Sequence, residues 1–235
     1  MLENYLIYYG IGLLAIIVSV VAQVKVQNAF SKNNRILSEK NVTGAKFARD
    51  ILSAAGLNDI EIVKIAGSMS DYYNHKKKIV ALSNSHDSSS LAALGVAAHE
   101  VGHALQYKEG YAPIKIRNFL IPVINFSSRA MLPLVVLGII LSFFIQASIF
   151  SDILIIGGVS VYTLMLILNF VTLPVEYDAS NRAKKLLLET GAVTNEEIKG
   201  VNEVLSAAAL TYVAAALTSL LYLIRFLLVY GRKRD

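Results

Sequence analysis

The sequence predicts an α-rich membrane protein: about four transmembrane helices carrying a small α+β domain. Three observations predict it. Hydrophobic residues fill 55% of the 235 positions, too many for an ordinary soluble domain. Runs of about 20 residues with almost no charge recur along the chain, each long enough to cross a bilayer. Between the first and second of these runs lies a charged, turn-containing stretch that holds all 4 histidines.

Composition also excludes chemistry. There is no cysteine, so disulfides, thiolate metal sites and thiol catalysis are all ruled out. Any metal must be held by His, Asp or Glu. The formal charge of +5 is modest, and the basic residues gather at the ends of the apolar runs. That pattern speaks for membrane topology and against nucleic acid as a partner.

The first segment, 1–24, is a membrane anchor. Tyr5 to Val24 carries no charge, and Glu3 stands where a signal peptide would have a basic start. Lys25, Lys32, Arg35 and Lys40 follow it, whereas no Lys or Arg precedes it. The bias places the next segment in the cytoplasm.

Residues 25–130 form the α+β domain. A helix is expected over Thr43–Ala55, with Thr43 as its cap, Phe47, Ile51 and Leu52 on one side, and Gly56 as its stop. Ile60–Ile65 reads as a strand. Asp71-Tyr72-Tyr73 and Lys78–Leu82 read as two more extended pieces about a turn at Asn74-His75-Lys76. Ser88, Ser89 and Ser90 then offer cap oxygens to a helix from Leu91 to Leu105.

That helix carries the chemistry. Apart from His99, Glu100 and His103, every residue from Leu91 to Leu105 is apolar or glycine. A helix apolar all round is a buried one, and three polar groups inside it need partners. His99-Glu100-Val101-Gly102-His103 matches H-E-x-x-H, the zinc-peptidase signature. Positions four apart share a helix face, so the two imidazoles can meet one ion. Glu100, one residue round, is placed to act on the water that the ion activates, as general base. Helix, strands, then metal helix is the order of a small zincin-like catalytic domain. His75 and His86 fall in turns and read as solvated histidines rather than ligands.

Gln106 to Arg129 is expected to be a polar stretch, broken into pieces by Pro113 and Pro122. Residues 131–175 read as a transmembrane hairpin: Met131–Phe150, a short turn at Phe150-Ser151-Asp152, then Ile153–Val175. The segment 176–205 opens with an acidic cluster. A cysteine-free H-E-x-x-H site with no later histidine needs Asp or Glu as its third ligand, and Glu176 is placed for it. Asp178 reads as either the alternative ligand or an acceptor behind a ligand histidine. Residues 206–235 hold a fourth span, Ser206–Ile224, and a basic tail, Arg232-Lys233-Arg234. A fourth full crossing would put that tail outside, against the charge rule, so the sequence leaves open whether the last helix crosses fully.

Several stretches together resemble one family. They are Ser70–Tyr73, Lys77–Ser83, Ala92–Gln106, Leu173–Ser180 and Ala207–Ala215, spread over nearly the whole chain. They are similar to the bacterial YugP-like neutral zinc metallopeptidases. The resemblance implies a membrane-embedded zinc peptidase with His99 and His103 as ligands and Glu100 as base. Wider membrane zinc peptidases use E-x-x-A-D to supply the third ligand. Here the pattern reads Glu176-Tyr177-Asp178-Ala179-Ser180, so Ser180 stands in place of the aspartate.

Two readings of function follow. In one, the chain binds one zinc and hydrolyses bonds in a peptide or protein substrate at the cell membrane, with its catalytic domain in the cytoplasm. In the other, it is a membrane scaffold whose zinc is purely structural. A structural site is normally closed by four protein ligands, and only three are identified here.

Overall fold

A computed structural model describes the backbone of residues 2–144 and 148–231, and the side chains of 7–127, 129, 153 and 156–228. In chain order it contains α1 (Leu2–Asn33), α2 (Gly44–Ala54), β1 (Glu61–Lys64), β2 (Tyr72–Asn74), β3 (Ile79–Leu82), α3 (Leu91–Lys108), α4 (Ala112–Phe144), α5 (Ser148–Glu189) and α6 (Ile198–Gly231). Two compact units result. One comprises residues 1–21, 115–172 and 212–235, the other 22–114 and 173–211.

The second unit carries the site, and local chemistry sets its elements. Thr43 caps α2 by accepting a hydrogen bond from Lys46 N at 3.3 Å. Gly56, at φ 72°, then turns the chain out, with Leu57 N bonded to Leu52 O. The three strands form one sheet in the order β1-β3-β2, β1 parallel and β2 antiparallel to the central β3. Asp71 clamps the end of β3, accepting from Ser83 N and Ser83 Oγ, each at 2.8 Å.

Helix α3 lies at the middle of this unit. Ser90 caps it by accepting from Ala93 N at 3.2 Å. At its far end Gly110, at φ 70°, closes a two-bond turn: Tyr111 N to Gln106 O and Gly110 N to Tyr107 O. Between these stops Leu94, Ala97, Ala98, Val101 and Ala104 are buried in one core with Phe47, Leu52, Val80, Leu82, Ala183, Leu187, Val201 and Leu205. The expected apolar helix is therefore wrapped by α2, the sheet, α5 and α6.

In the first unit, polar side chains join apolar helices. Asn169 donates to Ser219 Oγ at 2.7 Å, and Ser19 pairs with Thr218 at 3.1 Å. Leu13, Ile16, Ile17 and Phe170 are exposed, as lipid-facing residues would be. Among the described residues three helical stretches are long and apolar enough to cross a membrane: Ile7–Asn33, Ile156–Glu189 and Ile198–Leu228. The side chains of the expected second span, 131–150, and the basic tail lie outside the described residues.

Two expectations are corrected. Pro113 and Pro122 do not divide the chain after α3, because α4 runs unbroken through both. Pro113 falls in the first helical turn, where an N–H would have no partner anyway. Pro122 removes one bond from a 33-residue helix, which continues on either side. The turn expected at Phe150-Ser151-Asp152 is already helical, since α5 begins at Ser148. Residues 145–147, between the two helices, lie outside the described residues. Helix α5 runs on past Val175 to Glu189 with Pro174 inside it, so Glu176 and Asp178 stand mid-helix.

Candidate metal centre

His99 and His103 project from one face of α3, their rings edge to face with centroids 4.7 Å apart. Helix α5 brings the carboxylate. Glu176 is 1% exposed, and its Oε2 lies 3.1 Å from His99 Nε2 and 3.6 Å from His103 Nε2. The three groups offer ligand atoms within 4.8 Å of one another.

Gly102 makes this approach possible. A Cβ there would stand 2.7 Å from the Ala179 carbonyl oxygen and 3.2 Å from its Cα. With hydrogen alone at position 102, the α5 backbone seats against α3, and Glu176 and Ser180 flank the point of contact.

The far side of each ring is also engaged. His99 Nδ1 lies 3.1 Å from Ser180 Oγ, and His103 Nδ1 lies 2.9 Å from Gln106 Oε1. Gln106 is fully buried and donates from Nε2 to Val175 O and Asp178 Oδ2, both at 2.8 Å. Asp178 Oδ2 also accepts from Arg182 Nε at 2.6 Å, and Arg182 Nη1 pairs with Glu109 Oε2 at 2.7 Å.

Burial opposes the charge on Glu176, but hydrogen bonds and charge from His103 and His99 outweigh it and hold the carboxyl well below the usual carboxylate range. Burial likewise works against a proton on His103. The Glu176 hydrogen bond, the charges of Glu100 and Glu176, and the Gln106 bond reverse that and raise it above the ordinary imidazole range. The two shifts share the contact between Glu176 and His103, a buried carboxylate beside an imidazole.

A zinc ion would meet that carboxylate with the right spacing. Tetrahedral ligands held about 2.0–2.1 Å from an ion stand about 3.4 Å from one another. The distances of 3.1 and 3.6 Å lie on either side of that value. Two imidazoles and a carboxylate are also a donor set that suits zinc.

The structure thus brings His99, His103 and Glu176 together and leaves Asp178 out of the cluster, on Gln106 and Arg182. Glu100 is 8% exposed and lies outside the cluster, though near enough for its charge to act on His103. His75 stacks on Tyr107 with ring centroids 4.0 Å apart, and His86 pairs with Asp87. Gln106 and Arg182 were not singled out by sequence. The available signal for Gln106 was its spacing, a lone amide three residues after a ligand histidine in an apolar helix.

A helix-borne histidine pair closed by a buried glutamate from a second helix, on a chain with three helices able to span a membrane, defines a candidate membrane metalloenzyme. The chain belongs to the family described as "Putative neutral zinc metallopeptidase", whose model matches residues 8–231. It is similar to the "Putative membrane protease YugP" of Bacillus subtilis (strain 168). The two are 40% identical over 216 residues, covering 91% of this chain and 92% of that protein. No solved structure matches the chain.

Proposed function

We propose that this chain is a membrane-embedded, zinc-dependent endopeptidase that hydrolyses peptide bonds in a peptide or protein substrate. The observation that carries the reading is the division of labour among four acidic or basic neighbours. His99, His103 and Glu176 converge, while Glu100 stays buried beside them without joining the cluster. A scaffold with a structural metal would close the site with a fourth ligand, and no fourth His, Asp or Glu joins it among the described residues. The open position and the adjacent carboxylate support hydrolysis instead.

One zinc per chain, held by His99, His103 and Glu176, would polarise the scissile carbonyl and acidify a water. Glu100 takes the proton of that water as its oxygen bonds to the carbonyl carbon. It returns the proton to the amine nitrogen as the C–N bond breaks. Ser180 and Gln106 hold the ring nitrogens that face away from Glu176, so neither imidazole has to reorient.

Two variants separate the roles. Purified wild type should carry about one zinc per chain, and a His99→Ala/His103→Ala double variant should carry none. Glu100→Gln should keep its zinc and lose casein or peptide cleavage by roughly 10²-fold or more. Equal zinc in the double variant would remove the site. Near-normal cleavage by Glu100→Gln would remove that carboxylate from the reaction.

A further inference from the structure

We propose that Gln106 is a positioning residue that dictates the tautomer of His103, presenting its Nε2 lone pair to the metal, and that Asp178, Arg182 and Glu109 hold Gln106 in the one orientation that does so. The inference rests on the zinc reading for its consequence, while its geometry stands apart from it.

A glutamine amide can sit either way round in a cavity, and here only one way is satisfied. As placed, Nε2 donates to two oxygens, the Val175 carbonyl and the Asp178 carboxylate, both at 2.8 Å. Flipped, Oε1 would face those two acceptors at the same distance, and the NH2 group would exchange both partners for the single ring nitrogen of His103. Gln106 has 0% exposure, so water cannot compensate. Each buried polar group left unpaired costs about 1–3 kcal/mol. Two donated bonds on one side against a single contact on the other favour this orientation, with Oε1 facing His103 Nδ1.

An amide oxygen only accepts. His103 Nδ1 must therefore carry the hydrogen, and in the neutral ring Nε2 keeps its lone pair. That nitrogen is the one that faces Glu176. The two ligand histidines differ in this respect. Behind His99 stands the Ser180 hydroxyl, which can donate or accept, so it leaves the tautomer of that ring free.

The rest of the chain keeps the acceptor aimed. Asp178 Oδ2 is shared between Gln106 Nε2 and Arg182 Nε, and Arg182 is in turn paired with Glu109 at the end of α3. Asp178 thus acts on the site at two removes, through an amide, which is why an acidic residue two positions from Glu176 is absent from the ligand cluster. Partners behind a ligand histidine commonly change metal affinity about 10–100-fold.

The test uses the full-length protein in detergent or nanodiscs, with zinc affinity measured by competition against a chromophoric chelator. Gln106→Leu should weaken zinc about 10–100-fold. Asp178→Leu should weaken it less, because Val175 O still orients the amide, and Asp178→Asn, which keeps an acceptor, should lose less again. The metal-free proteins supply a second measurement with selectively 15N-labelled histidine, at a pH where the imidazoles are neutral. Wild type should show the Nδ1–H signature at His103, and Gln106→Leu should shift towards Nε2–H. Unchanged affinity and an unchanged tautomer in Gln106→Leu would overturn the inference. Should that variant fail to fold, equal zinc affinity in Asp178→Leu and wild type would overturn it instead. A wild type with the expected tautomer but no zinc would sink the metal reading and leave the amide's role standing.

Discussion

A buried carboxylate is tolerable only where something positive meets it, and at Glu176 two imidazoles do so. Glu176→Ala should accordingly strip or greatly weaken zinc and abolish cleavage, whereas Asp178→Ala should retain measurable zinc. Metal analysis of the two proteins checks this, and the reverse pattern would exchange their roles. Tyr73 gives a residue-scale test away from the site. Burial, followed by the charges of Tyr107 and Asp59, pushes its phenol up to about 12. Its folded pKa is thus above the unfolded value near 10, so between these limits only the unfolded state gives up the proton and stability falls as pH rises. The unfolding midpoint of wild type should drop over that range more than that of Tyr73→Phe. Parallel curves would show that Tyr73 titrates as in water. At this scale much was legible. His99, Glu100 and His103 announce themselves by spacing, and Glu176 follows by elimination in a chain without cysteine. Gln106 did not, because an amide has no chemistry of its own until a fold supplies its acceptors.

Helix ends were readable where the signal is local. Thr43, Ser90 and Gly56 do what a cap oxygen or a left-handed glycine does in any protein. The continuity of α4 through Pro122 was not readable, because losing one backbone bond does not decide the fate of a long helix. Nor was the parallel pairing of β1 with β3, which links residues far apart in sequence. The approach of the α5 backbone to α3 at Gly102 also belongs to this scale. Gly102→Ala would gain about 1 kcal/mol in helix propensity. It would also drive a methyl to 2.7 Å from a backbone oxygen, which has no rotamer by which to yield. Overpacking of this kind costs about 1–3 kcal/mol and must push α5 outward. Gly102→Ala should therefore melt earlier and lose zinc, since the displacement carries Glu176 away from both histidines. A variant that melts later with full zinc would show that the contact relaxes without disturbing the site.

For the whole molecule the informative quantity is where the positive charge falls. Lys25, Lys32, Arg35 and Lys40 follow the first apolar run, Lys115, Arg117 and Arg129 precede the hairpin region, and nothing basic stands before Tyr5. Loops rich in Lys and Arg tend to stay in the cytoplasm, so the charge bias predicts that the body carrying the candidate metal centre lies there. The absence of native cysteine makes this directly measurable, because a single introduced thiol reports alone. Ser68 lies exposed in the loop between β1 and β2 and accepts a label without disturbing the core. Asn4 precedes the first candidate span, which begins at Ile7. In intact bacterial cells a membrane-impermeant maleimide should modify Asn4→Cys and miss Ser68→Cys, and after lysis it should modify both. Labelling of Ser68→Cys alone in intact cells would invert the topology and place the candidate metal centre on the outer side of the membrane. Labelling of both in intact cells would mean that the stretch between them does not cross at all, and the charge bias would then need a different explanation.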